Sequence, residues 1–347
     1  MARPIAILRA LALAYRRDWT AFQSLAGNNF FLITVFLLRQ AGAFVYLIIG
    51  LVLLFPLSTD PLRKIPASRL ALWPLDRRER WLLRAVSPWI NPLTWVIAAL
   101  AVWTARRNVT LGLWALVAGL FAAGFALSSL PSGTSQGMRR RVPEFPGPLN
   151  QLIRKNLREI LSTLDFYCAL ILSAAALAYR IAGARRADFA LPREALLALT
   201  ILVILALSSY AQCLFGLDGD GGLGRYRLLP VRGWRLLAAK DLAFLIATLP
   251  LTLPLAPMAG AGAALVVLAI GHATAVEHPR PQTRWRFTTG GSIANGLVQT
   301  LFMAMTASAI FFTSPLFLLA AMGAWAASLW WYGRELESGH SRVLGSG

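Results

Sequence analysis

Residues 214–243 read LFGLDGDGGLGRYRLLPVRGWRLLAAKDLA. An apolar run ends at the left edge of this stretch and another begins at its right. Between them stand Asp218 and Asp220, five glycines from Gly216 to Gly224, Pro230, and arginines at 225, 227, 232 and 235. A loop this polar between two apolar runs is a connection at a membrane surface. It is either a reactive site facing the bilayer or a handle for another protein.

The composition agrees with a membrane setting. The chain has 347 residues, 57% of them hydrophobic, and a mean hydropathy of +0.59, against about 45–50% apolar residues in a soluble domain. Lys plus Arg number 34 against 15 Asp plus Glu, a net charge of +19. The bases are spread over all the loops and not gathered in one domain, which argues against a nucleic-acid partner and for bases that set topology and face anionic headgroups. Cys168 and Cys213 lie in separate apolar runs, so neither a disulfide framework nor a metal-ligand spacing is offered. Arg9 interrupts the first apolar stretch, and no cleavable leader is expected.

At about 20 residues per helical crossing, nine apolar segments stand out: 30–57, 89–105, 108–130, 163–183, 194–215, 239–256, 257–276, 296–313 and 315–333. The expected fold is all-α and polytopic, with about 8–10 spans by that spacing. Arginine concentrates in loops 58–88, 131–162, 216–238 and 277–295, which places these four in the cytoplasm. The turn at 184–193 is a partial exception, with Arg185, Arg186 and Arg193. Segment 30–57 carries Arg39 and Gln40 in its first half, costly at mid-bilayer. Whether it crosses once or enters and returns stays open, and with it the side of the N-terminus.

The opening stretch has an echo at 54–87, LFPLSTDPLRKIPASRLALWPLDRRERWLLRAVS. Both begin Leu-Phe-x-Leu and carry an aspartate soon after. Both then run from arginine through leucines to proline, Arg69 to Pro74 and Arg225 to Pro230. Arg77, Arg78 and Arg80 follow the first proline, as Arg232 and Arg235 follow the second, and each copy has a base ten residues beyond its proline, Arg84 and Lys240. An amphipathic basic helix precedes each copy. The stronger lies at 148–162, where Leu149, Leu152, Ile153, Leu157, Ile160 and Leu161 share one face, while Gln151, Arg154, Lys155, Arg158 and Glu159 cover the other. Such a helix lies in the interface with its bases toward headgroups. The organisation expected is an N-terminal interfacial segment 1–29, a first transmembrane half 30–130, a Pro/Gly/Ser-rich linker 131–147, and a second half 148–347. Two unequal halves repeat one plan, as in many transporters.

Specific chemistry is sparse. Asp220-Gly-Gly-Leu-Gly-Arg225 is close to the D-G-x-x-A-R that opens the signature of CDP-alcohol phosphatidyltransferases, which makes a membrane lipid head-group transferase the alternative reading. That family holds its metals between several carboxylates, hard ligands for hard cations, and here the following helix offers only Asp241. His272, His278 and His340 do not form H-E-x-x-H, no G-x-S-x-G is present, and a calcium loop counted from Asp218 meets Leu229 where glutamate is needed. Only Asp165 lies within an apolar segment, so ion-coupled transport has little to work with. None of the three lysines follows a glycine, which excludes a phosphate-binding P-loop. Any energy from ATP must come from another chain.

The run Leu214-Phe-Gly-Leu-Asp218, then Arg225-Tyr-Arg-Leu-Leu-Pro230, then Arg235-Leu-Leu-Ala-Ala-Lys240-Asp-Leu-Ala243 resembles the cytoplasmic loop of bacterial type-2 ABC exporter permeases. Those sequences show N-x-F-G-x-D, then L-L-P-x-(basic)-x-L-L-x-x-K-x-L-A. The strong match covers about 30 residues of the chain. Gln212 stands near the family's asparagine at a different spacing, and the first half is shorter than a full permease. The resemblance implies a multi-pass subunit of the bacterial inner membrane with no ATPase of its own, no catalytic residues and no cofactor in this chain. ATP would sit on a separate ABC ATPase. Membrane lipids and a second permease or a second copy would be its other partners. The docking residues implied are Asp218, Asp220, Arg225, Arg227, Pro230, Arg232, Trp234, Arg235 and Lys240, with Pro74, Arg77, Arg78 and Arg80 in the echo. Residues 231–240, VRGWRLLAAK, are expected to form a short surface helix with Val231, Trp234, Leu237 and Ala238 on one stripe.

Topology is directly testable. Cysteines placed at Ser58 and Gly219, in a variant lacking Cys168 and Cys213, should resist an impermeant thiol reagent in intact cells. Labelling of either from outside would overturn the shared orientation of the two loops.

Overall fold

The computed structural model describes residues 2–17, 62, 72–90, 142, 147, 149–185, 193–215, 222–227, 230–277 and 293–344, with scattered positions between 95 and 126. Segment 30–57, most of 89–130, the linker before residue 142, and Asp218 and Asp220 lie outside the described residues.

All regular structure among the described residues is helical. The elements are α1 (Ala2–Arg17), α2 (Arg77–Val86) with a 3-10 turn at Ser87–Ile90, α3 (Asn150–Leu161), α4 (Leu164–Gly183) and α5 (Arg193–Gln212). They continue with α6 (Gly222–Arg227), α7 (Gly233–Thr252), α8 (Pro257–Glu277), α9 (Ile293–Phe312) and α10 (Phe317–Leu344). Four of them are long and apolar enough to cross a membrane: Asp165–Gly183, Arg193–Gln212, Pro257–Glu277 and Asn295–Phe312. The chain is therefore a membrane-associated helical protein. The two other long helices, α7 and α10, pack beside these four.

Local chemistry sets the boundaries. The α3–α4 break falls at Ser162 and Thr163, whose hydroxyls donate to Glu159 O (2.7 Å) and Ile160 O (2.6 Å). Thr163 Oγ1 then accepts from the Phe166 N–H at 3.3 Å, satisfying one of the first-turn donors of α4. The α7–α8 hairpin closes around Pro250 and Pro257, the latter opening α8 where a missing N–H costs nothing. Gly260 is required there, because a Cβ would stand 2.6 Å from the Thr252 side chain.

The bundle is built around α5 and α8. Both are apolar on every side, the pattern of a helix surrounded by protein or lipid. Every residue from Leu197 to Gln212 is buried, and α8 contacts α5, α9 and α10 along its length. The outer helices α4, α9 and α10 expose Leu177, Ile181, Phe302, Met305, Leu319, Met322, Trp330 and Trp331, an apolar belt suited to lipid. Cross-bundle contacts show the long helices alternating in direction. Thr200, early in α5, meets Ala256 after α7, whereas Gln212 at the end of α5 meets Gln299 near the start of α9.

Segments 163–183, 194–215, 257–276 and 296–313 are helices close to the expected limits, and 315–333 extends to Leu344. One expectation fails. Residues 231–240 do not form a short helix of their own but lead into α7, which starts at Gly233 and runs unbroken to Thr252. The expected stripe is split, since Leu237 is buried in the core while Trp234 is exposed. The helix can continue inward because Lys240 and Asp241 both find partners inside the bundle. Helix α3 is amphipathic as expected, but its apolar residues Ile153, Leu157 and Ile160 are buried against protein, with α7 as the main neighbour. At the other end of the chain, α1 packs on α2 through a small core in which Ile7, Leu8 and Leu11 meet Leu75 and Leu83. Helix α2 is started by Glu79, whose carboxylate accepts from the Asp76 N–H at 3.1 Å.

Gly271 sits where α8 crosses α5, and a Cβ there would lie 2.6 Å from the backbone of Ala211. Gly271→Leu is expected to separate the two central helices at a cost of about 1–3 kcal/mol or more, as overpacking does. The measurement is the thermal unfolding midpoint of the purified protein in detergent, which should fall by several degrees.

Candidate docking surface

The loop between α5 and α7 returns to the bundle at the end where α3 and α4 begin. Its surface residues are arranged by a close crossing of α7 over α10. Gly233 and Gly333 face each other there, and a Cβ on Gly333 would stand 2.6 Å from Trp234. The Gly233 N–H donates to Glu337 Oε1 at 2.9 Å, so a carboxylate from α10 satisfies a first-turn donor of α7 and meets the positive end of its dipole. With α7 fixed this way, Trp234 points outward at 40% exposure, and the Arg235 guanidinium lies 5.3 Å from its ring centroid. Arg225, Pro230 and Arg232 are exposed as well. Arg227 lies on α6 with its side chain outside the described residues. Pro74, just before α2, and Arg77, Arg78 and Arg80 in its first turn are exposed.

Lys240 does not belong to this surface. It is fully buried, and its Nζ donates to Asn156 Oδ1 (3.0 Å) and Leu214 O (2.6 Å). The ammonium also lies 5.1 Å from the Phe215 ring centroid and 4.9 Å from that of Tyr226. One cation thus joins α3, the end of α5, α6 and α7, with two aromatic faces replacing part of its hydration. Tyr226 is also held by Lys155, whose Nζ donates to its hydroxyl at 3.3 Å.

The next residue makes a second buried knot. Asp241 is fully buried; His272 Nε2 lies 3.1 and 3.0 Å from its two oxygens, and Trp325 Nε1 donates to Oδ2 at 2.8 Å. His272 Nδ1 meets Ser328 Oγ at 3.0 Å. The Ser328 hydroxyl donates on to Ala269 O at 2.6 Å. Helices α7, α8 and α10 are locked together by this chain. A third contact joins Gln212 and Gln299, with Gln299 Nε2 donating on to Val267 O at 2.9 Å. The Lys240 and Asp241 knots lie within the first half of α7, and the Gln212 contact at the end of α5.

These findings correct two sequence-based expectations. Lys240, one of the expected docking residues, uses its charge internally. Asp165 was expected to be the one acid within the apolar segments, yet Asp241 is a fully buried carboxylate with an imidazole partner. Asn156 carries a legible signal, being a polar residue three and four positions from Ile153 and Ile160 on the apolar face of α3. His272 and Asp241 carried none, because their pairing is between helices. Comparison with protein-family models, with curated proteins and with solved structures finds no match to this chain.

The buried and exposed members should behave differently. Lys240→Met strands the Asn156 and Leu214 acceptors in the core, at about 1–3 kcal/mol per unpaired group, and is expected to lower the unfolding midpoint in detergent. Trp234→Ala should leave that midpoint nearly unchanged. Equal effects of the two on stability would contradict the division between anchor and surface.

Proposed function

We propose that this chain is the membrane-spanning permease subunit of an ABC exporter in the bacterial inner membrane, energised by a separate ATPase chain docking at its loop end. The observation that carries the reading is the exposed Trp234–Arg235 pair among Arg225, Pro230 and Arg232, mounted on elements tied to the bundle by Lys240 and Glu337. A surface meant to pass motion from a docked protein into membrane helices must be stiffly connected to them. Tyr226 links this loop to α3 and α7 at once. An exposed aromatic flanked by guanidiniums also suits a protein partner, offering burial together with donors to carboxylates and backbone carbonyls.

The repeat belongs to the same proposal. The packing of α1 on α2 parallels that of α3 on α7, an amphipathic helix lying against the helix that follows the loop proline in each half. Pro74, Arg77, Arg78 and Arg80 would then form a second docking element, and the full subunit would have about 8–10 spans at about 20 residues each. ATP is bound by the partner, and two permease copies, or this one with a second permease, complete the transporter.

The test is single alanine substitution at Arg225, Arg227, Arg232, Trp234 and Arg235, reading ATPase co-purification and membrane insertion separately. A docked protein surface is uneven, so one or two positions, Trp234 among them, should cost about 2 kcal/mol or more of association and the rest little. Contact with lipid alone would give about 1 kcal/mol per base at interchangeable positions. Uniform mild losses, or no ATPase bound by the unsubstituted protein in any nucleotide state, would overturn the assignment.

A further inference from the structure

Two levels bound the exposed apolar surface of the bundle. At the loop end, α10 changes character within one turn. Trp330 and Trp331 are 53% and 63% exposed. Arg334 follows, its guanidinium 4.0 Å from the Trp330 ring centroid, and Glu335 and Glu337 come after it. Indole rings just ahead of charge belong at the headgroup level of a bilayer, where one side of the ring is apolar and the other wet. The Gly233–Gly333 crossing falls in the same turn of α10, so this level meets α7 at its first residues. At the far end, Leu253 and Met258 are exposed where α7 turns into α8, and Leu316 and Phe317 where α9 turns into α10. Charge returns there too, as Arg180 of α4 donates to Pro254 O at 2.7 Å and the Arg193 guanidinium lies 5.7 Å from the Phe311 ring centroid.

The separation of the two levels is that of a membrane. At 1.5 Å per residue, Gly233 to Thr252 rises about 28 Å and Phe317 to Gly333 about 24 Å, against roughly 30 Å of hydrocarbon in a bilayer. Between the levels the outer faces of α7, α9 and α10 show Leu242, Phe302, Met305, Leu319 and Met322. No charged side chain is exposed from 237 to 252 in α7 or from 317 to 333 in α10.

We infer that α7 and α10 span the bilayer beside the four strongly apolar helices, with the loop-side boundary at Trp330, Trp331 and Arg334, and that the Asp241–His272–Trp325 knot lies inside the hydrocarbon region. Asp241 is eight residues beyond Gly233, and Trp325 is eight residues before Gly333, so both lie about 12 Å below the crossing. Leu242, the next residue of α7, is 45% exposed and faces acyl chains at that depth. Lys240 differs, because its ammonium reaches back to Leu214 O just past the end of α5, toward the boundary. The Asp241 carboxylate has no such exit. If α8 and α10 drew away from α7, it would meet lipid and not water, which holds the three helices together far more strictly than the same contacts would at an aqueous surface. The inference rests on the membrane setting alone and not on the exporter reading.

The test uses the full chain without Cys168 and Cys213, reconstituted into phosphatidylcholine nanodiscs and spin-labelled at one position at a time. Leu242→Cys, Met322→Cys and Ala326→Cys probe the apolar band, and Arg232→Cys and Arg334→Cys probe the loop side. Relaxation of each label by oxygen, which concentrates among acyl chains, is compared with relaxation by a water-soluble nickel chelate. Oxygen should dominate at Leu242, Met322 and Ala326, and nickel at Arg232 and Arg334. Dominance of nickel at Leu242 would put the level of Asp241 in water and overturn the inference. Exclusion of both reagents at Met322 and Ala326 would show a protein cover, whether a second copy or another part of this chain, and would overturn the lipid assignment. If the cysteine-free chain fails to fold, hydroxyl-radical footprinting of the unsubstituted protein in the same nanodiscs decides. Met322 should then escape oxidation while Trp234 is oxidised, and equal oxidation of the two overturns the boundary.

Discussion

The ammonium of Lys240, withdrawn from solvent and shared among Asn156, the Leu214 carbonyl and the rings of Phe215 and Tyr226, is the contact on which the loop end of the molecule depends. A lone buried cation is costly unless every part of its hydration shell is replaced. Here the replacements come from α3, α5, α6 and α7. None of these elements can shift without exposing a charge or stranding an acceptor, so the surface loop, the amphipathic helix and the bundle move together. Asp241, one residue on, applies the same constraint in the other direction. Its carboxylate is satisfied by His272 and Trp325, which adds α8 and α10 to the group. Buried polar groups of this kind are weak evidence for stability and better evidence for a unique arrangement.

Away from the loop end, the packing follows different rules. In lipid there is little hydrophobic gain from bringing two apolar helices together, so close approach depends on small residues. Gly271 against Ala211 and Gly262 against Ile310 supply that approach for α8. At the loop end Gly233 against Gly333 does the same for α7 and α10. The bundle is thus held by small-residue contacts along its length, by buried charged knots toward one end, and by single buried hydrogen bonds such as Ser173 to Leu251 O toward the other. The outer faces of α4, α9 and α10 expose large apolar side chains and are left to the bilayer.

Much of the fold was determined by the sequence alone. Apolar runs of about 20 residues bounded by Arg, Pro and Gly define the helices of the second half, because a chain in lipid must close its own backbone hydrogen bonds, and 3–4 spacing defined the two faces of α3. The exposed positions of Trp234, Arg232 and Arg235 also follow from their place at the boundary between loop and helix. The tertiary structure decided what the charged and polar residues inside those runs do. Lys240 and Asp241 are neighbours in the chain and look alike as members of a charged helix start, yet they point to different partners 84 and 31 residues away. Periodicity reports which face of a helix is apolar, but not which other helix covers it. A buried charge is decided by the second helix, and that information is not local.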